Sequence, residues 1–349
     1  MATRVLIGSA WAGVAICLTF VGGRLTRLLS DWQRFKMTLD PAWVVPEDPV
    51  NRYDPTLGWK HIPGKTVDME PVFAGEDIVF QINSNGFRAI QDYCPEIPGG
   101  RSRIVLVGDS FTFGFVRFED TFGALIETLD PRYQVINMGA CAYGVDQMFL
   151  WYAEDGIGFD SDLVIVAIME DDIRRARSDR WSSGHGRPLF QLIGDDLVLT
   201  NVPVPHRIPP GTRNVRPSDV MRFLRLRRGL SPSDPGAEDV PFQVLRAFRD
   251  LVEEAGKAFL IVYLPTHSDF DEGDQIRRGI LNRCGELGLP VLDLGEWMKK
   301  HIVNDDSELL RSDGHYNSRG NALVAKAILR YLNRHRPSKT PMDGAGPAG

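Results

Sequence analysis

The chain has 349 residues, a prior of roughly two domains or one decorated domain at about 150 residues each. Apolar residues make up 43% and charged residues 25%, which excludes wholesale disorder, a collagen-like fibre and a small disulfide scaffold. Acids outnumber bases 46 to 40, a formal charge of −6 that argues against a nucleic-acid binder. The mean hydropathy of −0.17 excludes a polytopic membrane protein but leaves room for one span.

Residues 5–23 read VLIGSAWAGVAICLTFVGG without a charge. As a helix this run covers about 28 Å, close to the hydrocarbon thickness of a bilayer. Arg4 precedes it, and Arg24 and Arg27 follow, so the flanks do not fix an orientation. We read it as a retained anchor. A signal cleaved after Gly23 is the rival, and a buried core helix the bland alternative. Cys17, Cys94, Cys141 and Cys284 have no metal-like spacing and read as buried free thiols.

Residues 24–102 read as a juxtamembrane linker and a β-rich prelude, with a strand over Asp77 to Ile82 and a turn at Ser84-Asn85-Gly86. From Arg103 apolar runs alternate with helical patterns. Five strands are expected, at about 104–108, 133–137, 163–169, 258–264 and 290–293. Such alternation implies right-handed βαβ units and a parallel sheet with helices on both faces. An insert at about 178–240 holds a hairpin around Gly194-Asp195-Asp196. It also holds an Arg-rich stretch, Arg213 to Arg228, read as a solvated helix face or a contact for anionic headgroups. Residues 336–349 read as a disordered tail.

In open α/β sheets ligands bind beyond the carboxyl ends of the strands, which singles out Gly108-Asp109-Ser110 after the first strand. A serine is a weak nucleophile and needs a base, itself held by a third group. Asp313 and His315 sit in one short turn before the last helix and supply both types. Ser110 as a helix cap and His315 as a structural histidine are the bland readings. Asp109 is expected to brace the turn, and Asp293 to be structural. Tyr143 and Trp181 are placed on the cleft by position alone. His185, His206 and His267 lack ligand spacing, so no metal site is expected.

GDSFTFG at 108–114, NMGACAYG at 137–144 and SDGHYNSRGN at 312–321 together resemble the SGNH hydrolase (GDSL-type esterase) superfamily over residues 103 to about 332. YDPTLGW and INSNGFR in the prelude resemble the N-terminal extension of its bacterial membrane-anchored members. The resemblance implies a flavodoxin-like three-layer α/β/α sandwich with a five-stranded parallel sheet in the order 2-1-3-4-5. It implies Ser110 as nucleophile, His315 as general base and Asp313 as its orienter. It also implies an oxyanion hole from the Ser110 N–H, a glycine N–H and an Asn side chain. Here the glycine position holds Ala142 and the Asn position holds Asp171. An ionised carboxylate offers no donor. Asp171 donates only if protonated, which burial beside Glu170 and Asp172 favours. Losing one donor costs about 2.7–4 kcal/mol of transition-state stabilisation.

The expected activity is a membrane-anchored, extracytoplasmic serine esterase acting on O-acyl esters of an envelope or secreted glycan, or on a lipid ester. It requires no metal and no organic cofactor. An O-acyltransferase on the same triad and a catalytically inactive glycan-binding or assembly factor are the alternatives.

Overall fold

The computed structural model describes residues 49–335, apart from 70–71, 74–75, 182–184, 195, 206–238 and 272–273. The 5–23 segment, the Arg213 to Arg228 stretch, His206 and the 336–349 tail therefore lie outside the described residues. Among the described residues no helix is long and apolar enough to cross a membrane.

The prelude contains two antiparallel pairs, β1 (Asn51–Asp54) with β2 (Gly58–His61), and β3 (Thr66–Asp68) with β4 (Val79–Gln81). The alternating region follows: β5 (Ser102–Gly108), the short α1 (Ser110–Phe113), α2 (Phe122–Leu129), β6 (Tyr133–Gly139), α3 (Val145–Glu154), β7 (Leu163–Ile168) and α4 (Glu170–Arg175). The hairpin β8 (Leu189–Ile193) and β9 (Asp196–Thr200) interrupts it. The chain resumes with α5 (Val240–Glu254), β10 (Ala258–Tyr263), α6 (His267–Asp271), α7 (Gln275–Glu286), β11 (Val291–Asp293), α8 (Gly295–Lys299) and α9 (Ser318–Arg334). Five strands form one parallel sheet in the order β11-β10-β7-β5-β6. Counted along the chain that is 2-1-3-4-5, the order expected. The short helices α6 and α8 were not legible, because a single turn leaves too few residues for a period to emerge.

The strands are apolar on both faces because both faces are covered. Val105 and Val107 of β5, with Val164 and Val166 of β7, pack with Trp151 of α3 and Phe248 of α5. Their neighbours Ile104, Leu106, Ile165 and Ala167 turn the other way, onto Phe122 of α2 and Ile328 of α9. The period of two thus divides one sheet between two cores.

A third cluster joins the prelude to the Ser110 turn: Val50, Met69, Ile78, Phe80 and Ile82 pack with Phe113 of α1. Arg88 reinforces this seam. Its guanidinium is buried between the rings of Phe80, Phe113 and Phe118 at 5.2, 5.1 and 5.7 Å. It donates to the carbonyls of Val79, Gln81 and Val116. Burial pushes its pKa down to about 10. Of the described cysteines, Cys284 is buried, Cys141 half-buried and Cys94 exposed. Cys94 therefore corrects the expectation of uniform burial: it lies in the loop before β5, where little packs over it.

Gly139 ends β6 directly against α1. A Cβ there would lie 2.2 Å from the Phe113 backbone nitrogen and 2.6 Å from the Thr112 carbonyl carbon. Backbone cannot give way as a flexible side chain can. Gly139→Ala is expected to cost about 1–3 kcal/mol in urea unfolding, whereas wild-type stability would mean that α1 can withdraw from β6.

Candidate active site

Seven residues of β5 carry the chain to Gly108, where the backbone turns sharply. Asp109 caps the turn, its Oδ1 accepting the Phe111 N–H at 2.9 Å. The helix α1 lasts one turn and closes on Gly114, at φ 83°, through a bond from its N–H to the Ser110 carbonyl at 3.0 Å. Ser110 is only 7% exposed. Asp109 braces the turn, as expected of it.

His315 stands on the loop before α9. Asn317 caps that helix by accepting the Gly320 N–H, and the Tyr316 hydroxyl ties the loop to the Pro265 carbonyl at 2.6 Å. The imidazole stacks on Phe115 at 4.1 Å and leans on Phe111 at 5.0 Å. Its Nε2 lies 2.9 Å from the Ser110 Oγ, across 205 positions of sequence. Asp313 lies beside it. One carboxylate oxygen accepts the His315 backbone N–H at 3.0 Å and sits 3.3 Å from Nδ1. The buried Nδ1 has no well-aligned hydrogen bond. The other Asp313 oxygen faces Arg311 Nε at 3.6 Å, and Arg311 also pairs with Glu76 of the prelude. Asp313 is thus shared between a histidine and an arginine.

The β6–α3 loop leaves the end of β5, where the Ala140 N–H bonds to the Gly108 carbonyl at 3.0 Å, and runs on through Ala142. Ala142 has φ 65°, a left-handed conformation uncommon for a residue with a Cβ. Its carbonyl accepts Arg187 Nη1 at 3.0 Å, and the Cys141 carbonyl accepts the Trp59 indole N–H at 3.0 Å. Among the described residues, no protein acceptor engages the backbone N–H of Ser110 or Ala142.

Asp171 departs from expectation. Its side chain is 39% exposed and pairs with Arg174 at 2.6 Å and Arg175 at 3.5 Å. The buried acid is its neighbour. Asp172, at the third position of α4, folds back in a capping-box arrangement and accepts the Met169 N–H at 2.9 Å. That geometry draws residue 172 inward and turns residue 171 toward solvent. Tyr143 is also corrected. It is fully buried, its hydroxyl bonded to the Trp59 carbonyl at 2.6 Å and its ring set edge-on to Trp151, so it belongs to the core. Trp181 is half-buried, with the Arg175 guanidinium 5.6 Å over its ring. Asp293 is structural, accepting from Arg277 and from the Gly295 N–H.

Arg175 is the residue that sequence reasoning missed. Its Nη1 donates to Asp109 at 2.9 Å, Asp172 at 2.7 Å and the Tyr143 carbonyl at 3.1 Å. The Glu170 to Arg175 run, EDDIRR, displays its acid–base spacing along one helix. Nothing in that spacing discloses the contacts with two other loops. Burial would lower the Arg175 pKa, but Asp172 and Asp109 outweigh it and raise it. Burial, and then the charge of Asp109, push Asp172 well above the usual Asp range, with Arg175 opposing.

No protein-family model matches the chain, and neither does any curated protein. Solved structures do. The neighbours are GDSL-type lipolytic proteins and acetyl xylan esterases. A member of the lipolytic protein G-D-S-L family from Veillonella parvula is 15% identical, with 67% of this chain and 99% of that chain covered and a TM-score of 0.40. An acetylxylan esterase from Geobacillus stearothermophilus is 15% identical over 67% of this chain and 95% of its own, with a TM-score of 0.41. A further acetyl xylan esterase is 14% identical over 66% and 99%, again at 0.41. These likenesses are too distant to carry an activity across. The strand order 2-1-3-4-5, with Ser110 after the first strand and His315 before the last helix, is the arrangement that the SGNH resemblance implied.

The raised pKa of Asp172 has a sign in stability. Between the ordinary Asp range and the raised value, the folded state binds more protons than the unfolded one. Stability from this group therefore falls as pH rises, by on the order of 1 kcal/mol per pH unit. Asp172→Asn should remove that slope. Urea unfolding of both proteins from about pH 4 to about pH 8 should show wild type losing ground to the variant as pH rises through this window. A constant difference would mean that Arg175 keeps Asp172 ionised throughout.

Proposed function

We propose that this protein is a serine esterase of the SGNH type, in which Ser110 is the nucleophile and His315 the general base. The observation that carries this reading is the 2.9 Å contact between Ser110 Oγ and His315 Nε2 on a turn beyond a parallel sheet. With the proton on Nδ1, Nε2 accepts the serine proton as Oγ bonds to the ester carbonyl carbon. The nearby Asp313 carboxylate favours that tautomer and the imidazolium that follows. The Ser110 and Ala142 N–H groups face the developing oxyanion. Collapse breaks the bond to the alcohol, which leaves with the proton from His315. Water then attacks the acyl-enzyme, His315 takes its proton, and release of the carboxylic acid returns the proton to Ser110. A sugar hydroxyl in place of that water makes the same site an acyltransferase.

The substrate we propose is an O-acyl ester of an envelope or secreted glycan, reached from a membrane tether formed by residues 5–23, with the catalytic region outside the cytoplasm. A second reading is a non-catalytic glycan-binding factor. It is favoured by Asp171 in place of Asn and by the sharing of Asp313 with Arg311.

A fluorophosphonate probe should label wild type at Ser110, and Ser110→Ala should abolish the label. A folded wild type that stays unlabelled would favour the binding factor. His315→Ala should lower turnover of p-nitrophenyl acetate by about 10⁴-fold or more without loss of fold by circular dichroism. Asp313→Asn should cost less, because its contact with Nδ1 is long. The full-length protein should remain in carbonate-washed membranes; release into the wash would assign residues 5–23 to a cleaved signal.

A further inference from the structure

We propose that Arg175 is a positioning residue for the esterase site, one guanidinium that pins together the three strand-end loops from which the site is built. The inference rests on the esterase reading and adds to it a residue that the SGNH motifs do not contain.

The geometry is specific. A single nitrogen, Nη1, meets one acceptor from each of three adjacent loops. Asp109 comes from the turn after β5, at 2.9 Å; the Tyr143 carbonyl from the loop after β6, at 3.1 Å; and Asp172 from the turn after β7, at 2.7 Å. Asp109 and Asp172 are 1% and 0% exposed, so each buried acid has Arg175 as its cationic partner. A guanidinium suits the task because its donors lie in a rigid plane and its charge persists when buried.

Each contact reaches a part of the site. Asp109 immediately precedes the nucleophile, caps its helix, and lies 3.5 Å from Ser110 Oγ through the oxygen that Arg175 holds. Tyr143 immediately follows Ala142. The Ala142 carbonyl is held by Arg187 and the Tyr143 carbonyl by Arg175, so both peptide planes after Ala142 are fixed by cations. That grip accounts for an alanine at φ 65°, a conformation that persists only where the surroundings over-determine it. Drawing the Ser110 turn and the Ala142 loop onto one point makes their two backbone N–H groups converge. Convergence matters more here than where an Asn side chain supplies a third donor. At that position the chain has Asp171, whose carboxylate is itself drawn toward Arg174 and Arg175.

The test compares wild type, Arg175→Ala and Arg175→Lys, each first checked for folding by circular dichroism. With p-nitrophenyl acetate, Arg175→Ala should lower kcat about 100-fold, the loss typical of a misplaced reacting group, with little change in KM. Added methylguanidinium should raise kcat of Arg175→Ala but not of wild type, and Arg175→Lys should fall between the two. A purely structural role would not respond to the added cation. Hydrogen exchange supplies a readout independent of turnover: in Arg175→Ala, peptides covering 106–116 and 139–146 should lose protection together. If Arg175→Ala does not fold, Arg175→Lys, which keeps a cation between the two buried acids, carries both comparisons. A folded variant with wild-type kcat, a kcat loss that methylguanidinium does not relieve, or unchanged protection in both peptides would overturn the proposal. A wild type that neither labels at Ser110 nor turns over would sink the esterase reading, while the exchange experiment still decides whether Arg175 pins the loops.

Discussion

At Gly108 and Gly139 the ends of two neighbouring strands come so close to the Ser110 turn that neither position has room for a Cβ. At Gly108 it would lie 2.0 Å from the Thr112 hydroxyl, and at Gly139 2.2 Å from the Phe113 nitrogen. This close seating is the constraint on which the rest of the site depends. It lets α1 start beyond the sheet with its first N–H groups free of the strands. It also leaves the loop after β6 tied to the end of β5, where the Ala140 N–H bonds to the Gly108 carbonyl at 3.0 Å.

Charge holds this arrangement. Asp109, Asp146 and Asp172 are buried carboxylates, and Arg175 and Arg187 are the guanidiniums set among them. Buried ion pairs add little net stability, because desolvation offsets most of their attraction. Their value lies in direction. Each arginine bonds both a carboxylate and a backbone carbonyl of the 142–143 loop, so the charges choose one loop conformation among many. The prelude contributes in the same way from the other side. Arg88 spans three carbonyls and three rings around Phe113, and Arg311 joins Glu76 to the Asp313 turn. The β-rich extension therefore buttresses the Ser110 turn rather than hanging from it.

Much of this was legible beforehand. The alternation of apolar runs gave the parallel sheet, because a strand buried on both faces has no polar positions to confuse the pattern. The turn after β5 and the Asp313-Gly314-His315 turn stood out, because the first lies beyond the carboxyl end of a buried strand and the second sets an acid and an imidazole side by side before the last helix. The errors were side-chain directions. Asp171 and Asp172 differ by one helical step, about 100°, and the capping-box fold-back decided which was buried. Tyr143 stood next to the cleft in sequence but turned into the core, where Trp59 accepts its hydroxyl.

The sequence by itself determined the order of elements, the two turns that bear serine and histidine, and the departure of Ala142 and Asp171 from the SGNH pattern. These are local facts, written in periodicity and in neighbouring residues. Only the tertiary structure decided that Ser110 and His315 meet and that Arg175 joins three loops. Such contacts link residues far apart in the chain. Their formation depends on how the strand ends align, and no single segment contains that information.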